Sequence, residues 1–211
     1  RAHGGVGGCG TMVGMALCPA FPRPAIARLP GATAALLMAL LGSACSPALD
    51  WRTVRQEATP VTAVLPCKPE RATRDVPLRG PQQPPVALYM LSCEAAGHTF
   101  AVAAVRLPDA WPAGEGPAGW IDDWQRASWA TLQLQPGPDG VPPGWAAVPC
   151  ATRGATLRRC WRGPGRTPTG AAVQAELHWA SDGRWLAQVA LYGPGLSPDA
   201  HETYFGGLAL R

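Results

Sequence analysis

Residues 172–192, AVQAELHWASDGRWLAQVALY, decide the fold of this chain. Residues 172–180 alternate between apolar and polar side chains in the manner of a strand, and residues 184–192 form a second strand-like run. The Ser-Asp-Gly sequence at 181–183 is typical of a tight turn. Together these features predict an antiparallel hairpin near the C-terminal end of the chain.

A second hairpin is predicted upstream. Residues 86–93 and 98–107 are strand-like runs around an Ala-Ala-Gly turn, and the second run is apolar on both faces, as expected of a buried central strand. Residues 61–65 form a short strand that Pro66 ends. Weaker strand patterns cover 145–150 and 156–162.

Two helices are predicted. Residues 119–132 have apolar side chains at helical spacing, with Asp122 and Asp123 expected in the first turn, where they complement the helix dipole, and Trp129 off the packing face. Residues 197–205 begin with a Ser-Pro cap, and 208–210 form a last edge strand. Antiparallel pairs with segregated helices predict an α+β fold, an antiparallel sheet with helices packed on it. Segments rich in glycine and proline at 135–144 and 163–170 are predicted to be loops.

The segment at 32–45, ATAALLMALLGSAC, predicts export. Arginines precede an apolar run that is too short to span a bilayer, and small residues follow it. Residues 41–45 are similar to a lipobox in which Gly42 occupies the position usually held by a branched apolar residue, so Cys45 is the predicted lipidation site. Ordinary cleavage after Ala44 and an uncleaved anchor are the alternatives.

These boundaries predict an upstream segment and signal peptide at 1–44, a lipid-tethered linker at 45–60 and a single α+β domain at 61–211. Ser46 follows the lipidated cysteine in place of the aspartate that retains lipoproteins in the inner membrane of enteric bacteria. We therefore expect the protein on the periplasmic side of the outer membrane in preference to the inner membrane.

Four cysteines beyond Cys45 predict two disulfides, because an even number in an exported chain favours bridges. Of the three possible connectivities, the strand-like segments around Cys67 and Cys93 favour one bridge, and the short loop from Cys150 to Cys160 favours the other. A zinc site is the alternative, but the chain has no C-x-x-C pair.

A resemblance to known proteins lies in three short motifs. The domain opens with VTAVLPCKP at 61–69, a tyrosine and a cysteine share the strand at 89–93, and AHETYFGGLAL closes the chain at 200–210. This pattern resembles a group of uncharacterised proteobacterial lipoproteins and the wider PsbP-like sandwich. The resemblance implies an α/β sandwich that serves as an accessory or binding module more often than as an enzyme.

The sequence contains no catalytic motif. His98, His178 and His201 are isolated along the chain, so a metal site is not predicted, and no serine lies in a G-x-S-x-G motif. No cofactor is expected. Outside one short cluster of arginines there is no basic run, which argues against nucleic acid as a partner.

The nine tryptophans are the unusual feature of the composition. Most are expected to pack in the core, but Trp111, Trp145 and Trp161 lie in or beside predicted loops and are candidates for a ligand or partner surface. The expected function is a non-catalytic binding or accessory lipoprotein whose partners are the lipid bilayer, another envelope protein or a glycan. The alternatives are an envelope hydrolase, whose site would gather a histidine and a carboxylate in one pocket, and a structural lipoprotein that binds glycan or peptidoglycan.

Overall fold

The computed structural model of the protein describes residues 48–211. The elements within this range, in chain order, are β1 (Arg52–Arg55), β2 (Val61–Leu65), β3 (Glu70–Val76), β4 (Val86–Ala95), β5 (His98–Arg106), α1 (Pro117–Thr131), β6 (Ala146–Ala147), β7 (Leu157–Arg166), β8 (Ala172–Ser181), β9 (Trp185–Tyr192), α2 (Pro198–Gly206) and β10 (Ala209–Leu210). None of the helices in this part of the chain is both long and apolar enough to cross a membrane.

The strands form two antiparallel sheets. The larger has the order β3-β4-β5-β9-β8-β7-β6, and the smaller has the order β1-β2-β10. Both predicted hairpins, β4–β5 and β8–β9, are confirmed. The fold is therefore α+β and rich in strands, with two sheets in place of the single sheet that the sequence indicated.

Each face of the seven-stranded sheet is covered by a different apolar cluster. One face packs with β2, α2 and β10 around Phe100, Val102 and Tyr204. The other packs with α1, whose Trp129 is buried together with Leu177 and Trp179. The buried hydroxyl of Tyr204 bonds the backbone of β5 and β9, which fixes α2 to the sheet.

Helix α1 begins two residues before its predicted start. Because Pro117 is its first residue, Asp122 and Asp123 lie beyond the first turn, and the prediction that they complement the helix dipole there is wrong. Asp122 instead pairs with Arg159 on β7, and Asp123 accepts a hydrogen bond from Arg79 at 2.9 Å. Both carboxylates therefore connect α1 to neighbouring segments.

Strands β1 and β3 lie in segments for which the sequence pattern predicted a linker and a turn-rich connection. Strand β1 falls within 45–60 and pairs with β2 from Arg52 opposite Leu65 to Arg55 opposite Thr62. Strand β3 pairs along its whole length with β4 at the edge of the larger sheet. Its sequence, ERATRDV, is polar because both its faces are largely exposed, and charged side chains are common on edge strands.

Strand β7 continues through the Gly-Pro-Gly sequence at 163–165, so the predicted loop at 163–170 begins too early. Pro164 is tolerated because β6 pairs with β7 only as far as Arg162, which leaves the outer edge of Pro164 without a ladder partner. Gly163 is required by packing, since a Cβ there would lie 2.5 Å from the indole ring of Trp145.

The two disulfides have the predicted pairing. Cys67 bonds Cys93, and Cys150 bonds Cys160, with Cα–Cα distances of 6.0 and 5.9 Å. The first bridge connects the segment after β2 to β4, so it joins the smaller sheet to the larger one. The second bridge closes the loop between β6 and β7.

Candidate functional site

A cluster of charged and ionisable side chains lies on β7 and β8, on the sheet face that α2 covers. Glu176 and His178 occupy alternate positions of β8, and Arg162 is directly opposite Glu176 on β7. Arg162 Nε donates to Glu176 Oε2 at 2.6 Å, and His178 Nε2 donates to Oε1 at 2.7 Å. The side chains of Glu176 and His178 are both only 4% exposed. The buried charge of the carboxylate is therefore compensated by these hydrogen-bond partners and not by water.

Helix α2 adds a second imidazole to the cluster. His201 Nε2 donates to Glu176 Oε1 at 2.8 Å, so both imidazoles share one carboxylate oxygen. Phe205, one turn further along α2, stacks on His178 with ring centroids 4.0 Å apart and also contacts His201 at 4.6 Å. Arg162 Nη2 also lies 3.5 Å from His201 Nε2. This contact is not a hydrogen bond, because both nitrogens are donors once His201 Nε2 donates to Glu176.

The balance of burial and hydrogen bonding keeps Glu176 ionised. Burial alone would raise the pKa of this carboxyl, but hydrogen bonds from His178, Arg162 and His201 outweigh it and lower the pKa to about 2. Burial lowers the pKa of His178 although Glu176 attracts a proton to it. At neutral pH the cluster therefore holds an ionised carboxylate between a guanidinium and a neutral buried imidazole.

A cavity of about 380 Å³ opens beside this cluster. Its polar side is formed by Arg162, Glu176 and His201, with Gln174 nearby. Its remaining wall is mostly apolar and is formed by Ala175, Leu191, Gly193, Pro194, Gly195, Leu196 and Pro198. The side chain of Arg162 is 53% exposed, so its guanidinium keeps donors for a ligand after the bond to Glu176 is made.

His98 supports the cavity from outside it. Its Nε2 lies 2.5 Å from the carbonyl oxygen of Pro194, and its Nδ1 lies 2.8 Å from that of Ala96. Gly193, the first residue of the segment that lines the cavity, has a φ of +141° and lies against the backbone at Gly97, where a Cβ would clash. His98 therefore holds the segment after β9 against the β4–β5 turn.

The described residues that line the site offer proton-transfer groups but no hydroxyl or thiol nucleophile. Of the described residues that line the cavity, none is a serine, threonine or cysteine. Nor does this part of the chain contain a group of three or more histidines, cysteines or acidic residues that could hold a metal ion. The arrangement is suited to bind a ligand with an apolar body and a hydrogen-bond acceptor, and His201 next to Glu176 could also activate a water molecule.

The three tryptophans predicted to form a ligand or partner surface lie in different surroundings. Trp145 is buried and donates its indole N–H to the carbonyl oxygen of Pro164 at 2.8 Å. Trp111 is half-buried and lies edge-on to Trp120 with ring centroids 6.3 Å apart. Trp161 lines a second cavity on the opposite face of the larger sheet. Trp145 therefore belongs to the core, and Trp161 faces a space that a ligand can occupy.

The sequence of β8 contains one signal for this site. The alternation of β8 places Gln174, Glu176 and His178 on one face of a strand whose other face is apolar. A polar face on a strand between two other strands indicates either solvent or a buried site, and the pattern alone does not distinguish them.

Cys45, the predicted lipidation site, lies outside the described residues. No protein-family model matches the chain, and a search of curated proteins finds no relative.

Proposed function

We propose that this protein is a cell-envelope lipoprotein, anchored in the bilayer through acylated Cys45, that works as a non-catalytic binding or accessory module. The apolar run at 32–45 and two disulfides in the folded domain support an oxidising envelope compartment. The motifs at 61–69 and 200–210 support a PsbP-like sandwich within the α+β class. The inner leaflet of the outer membrane is the preferred location.

The observation that carries the binding role is the cavity beside Glu176. It combines a fixed polar side, made of Arg162 and His201, with an apolar wall. Small-molecule sites have this composition, in which a few placed polar groups orient a ligand and apolar side chains supply most of the contact. The ligand is therefore a small amphipathic molecule whose acceptor group meets Arg162.

The binding test uses octanamide and octanoate, which have the same apolar chain and differ in the charge of the acceptor group. At ten times its Kd a ligand stabilises the folded protein by about 1.4 kcal/mol, which raises Tm by about 3–5 °C. Leu196→Trp, which fills the cavity and replaces no member of the charged cluster, is expected to abolish this shift. Arg106→Met, on an exposed arginine that pairs with Asp109, is the control. A shift that survives Leu196→Trp would contradict the assignment.

A hydrolase is the second candidate, because His201 and Glu176 meet at an open cavity. The test is hydrolysis of 4-nitrophenyl octanoate by the purified protein, compared with His201→Gln. Turnover above the rate of the free buffer that is lost in this variant would replace the binding role by a catalytic one. No turnover would count against the hydrolase.

The anchor is tested separately, by intact-mass analysis of the protein extracted from membranes. A diacyl or triacyl modification on Cys45 that is lost in Cys45→Ser supports the lipoprotein. Recovery of the unmodified chain in the soluble periplasmic fraction would favour ordinary cleavage. Fractionation exclusively with the inner membrane would overturn the outer-membrane assignment.

A further inference from the structure

A second cavity, of about 350 Å³, lies on the face of the larger sheet that α1 covers. Helix α1 contributes Asp122, Gln125 and Trp129 to its wall, and β7 contributes Arg159 and Trp161. Neighbouring side chains of β7 point to opposite faces, so this cavity is separated from Arg162 and Glu176 by the sheet itself. The two cavities are distinct sites.

Three buried polar atoms without a hydrogen-bond partner belong to side chains that line this cavity. They are Gln125 Oε1, Trp129 Nε1 and Trp161 Nε1. Gln125 is 7% exposed and Trp129 is 1% exposed, so neither side chain is hydrated at the surface. Leaving such groups unpaired costs stability, and an amide or indole in a core normally finds a partner.

The distribution of unpartnered atoms is not uniform over the described residues. Five buried side-chain polar atoms lack a partner, and three of them belong to the lining of this one cavity. The remaining two are the indole nitrogens of Trp120 and Trp179. Trp145, which is also buried, has its indole N–H satisfied by Pro164. Three of the five unmet hydrogen bonds therefore belong to side chains around this one cavity.

We propose that this cavity binds one pyranose ring of a saccharide. The half-buried indole of Trp161 offers a flat apolar surface for the C–H face of the ring, and the N–H groups of Trp161 and of the buried Trp129 are donors for its hydroxyl oxygens once the segment at 136–141 moves aside. Gln125 Oε1 accepts from a hydroxyl. The ion pair of Asp122 and Arg159 provides both an acceptor and a donor at the rim. An apolar ligand would leave these hydrogen-bonding groups without a partner.

The segment at 136–141 forms part of the wall of this cavity. It contributes Pro136, Asp139, Gly140 and Val141 to the cavity wall. Its hydrogen bonds are internal, from Gly137 N to Val141 O at 2.8 Å, from Gly140 N to Gly137 O at 2.9 Å and from Val141 N to Asp139 Oδ1 at 3.2 Å. The segment can therefore shift as a unit to admit the ring without losing a hydrogen bond to α1 or β7.

The experiment titrates the full protein, labelled with ¹⁵N in its indole groups, with chitotetraose, cellotetraose and maltotetraose at millimolar concentrations. The indole N–H signals of Trp129 and Trp161, assigned by single substitutions to phenylalanine, are expected to move with a saturable dependence on one of these saccharides. The signal of Trp145 is expected to stay in place, because its N–H is already bonded. No movement with any member of the panel would overturn the proposal.

A pair of buried glutamines provides the matched variants. Gln125→Leu removes the unpartnered amide, so it is expected to raise Tm while it weakens saccharide binding by about tenfold, the loss of one hydrogen bond. Gln188, which is 8% exposed, is satisfied because its Nε2 donates to Ser128 Oγ at 2.9 Å. Gln188→Leu is therefore expected to lower Tm and to leave the affinity unchanged.

These outcomes separate a ligand site from a packing defect. If Gln125→Leu lowers Tm as Gln188→Leu does, or leaves the affinity unchanged, the proposal fails. Leu196→Trp, which blocks the first cavity, is expected to leave saccharide binding intact. The saccharide site can thus fail or stand independently of the ligand proposed for the cavity beside Glu176.

Discussion

Replacing Glu176 by glutamine tests the electrostatic account of the charged cluster. The pKa of Glu176 falls from its ordinary value of 4.5 to about 2 on folding. At about 1.4 kcal/mol for each tenfold change in proton affinity, this difference corresponds to about 3 kcal/mol of stability at neutral pH. Glu176→Gln removes the charge and keeps the shape, so it is expected to lower the free energy of unfolding at pH 7 by about that amount.

The effect of Glu176→Gln depends on pH with a definite sign. The folded pKa lies below the unfolded one, so the stabilisation is fully present above the unfolded value of 4.5 and is lost as the pH falls towards 2. The difference between the two proteins is therefore expected to shrink to about 1.5 kcal/mol at pH 3. Burial lowers the pKa of His178, so acid below its ordinary value of 6.5 destabilises both proteins. Because Glu176 raises the pKa of His178, this loss is larger in Glu176→Gln and makes the decrease of the difference at pH 3 smaller.

The assay is urea unfolding under oxidising conditions at pH 7, 5 and 3, followed by tryptophan fluorescence. Asp109→Asn is the matched control, because Asp109 forms an ion pair with Arg106 but is 76% exposed, and it is expected to change stability by less than about 0.5 kcal/mol. A loss in Glu176→Gln that is equally large at pH 3 and pH 7 would refute the charge argument. A loss no larger than that of Asp109→Asn would show that the hydrogen bonds to Glu176 do not stabilise the fold.

Two further substitutions, each compared with a second substitution of the same kind, test the packing of the domain by the same unfolding assay. Tyr204→Phe removes the hydroxyl that joins α2 to β5 and β9, so it is expected to lower the free energy of unfolding by about 1–3 kcal/mol. Tyr89→Phe, at a half-buried tyrosine, is the control and is expected to change it by less than about 0.5 kcal/mol. Gly163→Ala forces a Cβ against the ring of Trp145 and is expected to cost about 1–3 kcal/mol. Gly119→Ala, on α1 with open space around the new Cβ, is expected to stabilise by about 0.5–1 kcal/mol. Equal effects at the two glycines would contradict the packing assigned to Trp145.

The elements that local sequence predicts well are those whose signals lie within a few residues. Strand β2 coincides with the predicted 61–65, and the β8–β9 hairpin forms around the predicted turn. The capping serine of α2, Ser197, accepts a hydrogen bond from Ala200 N as its Ser-Pro sequence indicates. Alternation, turn residues and caps act between near neighbours, so they can be identified without knowledge of the rest of the fold.

Other elements depend on partners that are distant in sequence. Strand β3 has no apolar alternation and exists because β4 offers it a full ladder. Strand β7 continues through Gly-Pro-Gly because β8 pairs with it as far as Arg166, and Gly163 leaves room for the ring of Trp145. Propensity for strand is decided largely by such cross-strand and same-face packing, which a single segment does not encode.

The sequence by itself determined the two hairpins, the loop that the Cys150–Cys160 bridge closes and the polar face of β8, since each of these follows from residue types at short spacing. Only the tertiary structure brought His201 to Glu176, 25 residues away, and turned a polar strand face into a buried ionised cluster. It likewise gathered Gln125, Trp129 and Trp161 around a cavity without giving their buried polar atoms a partner. The physical reason is that burial and hydrogen-bond satisfaction depend on what covers a side chain, and that cover comes from distant parts of the chain.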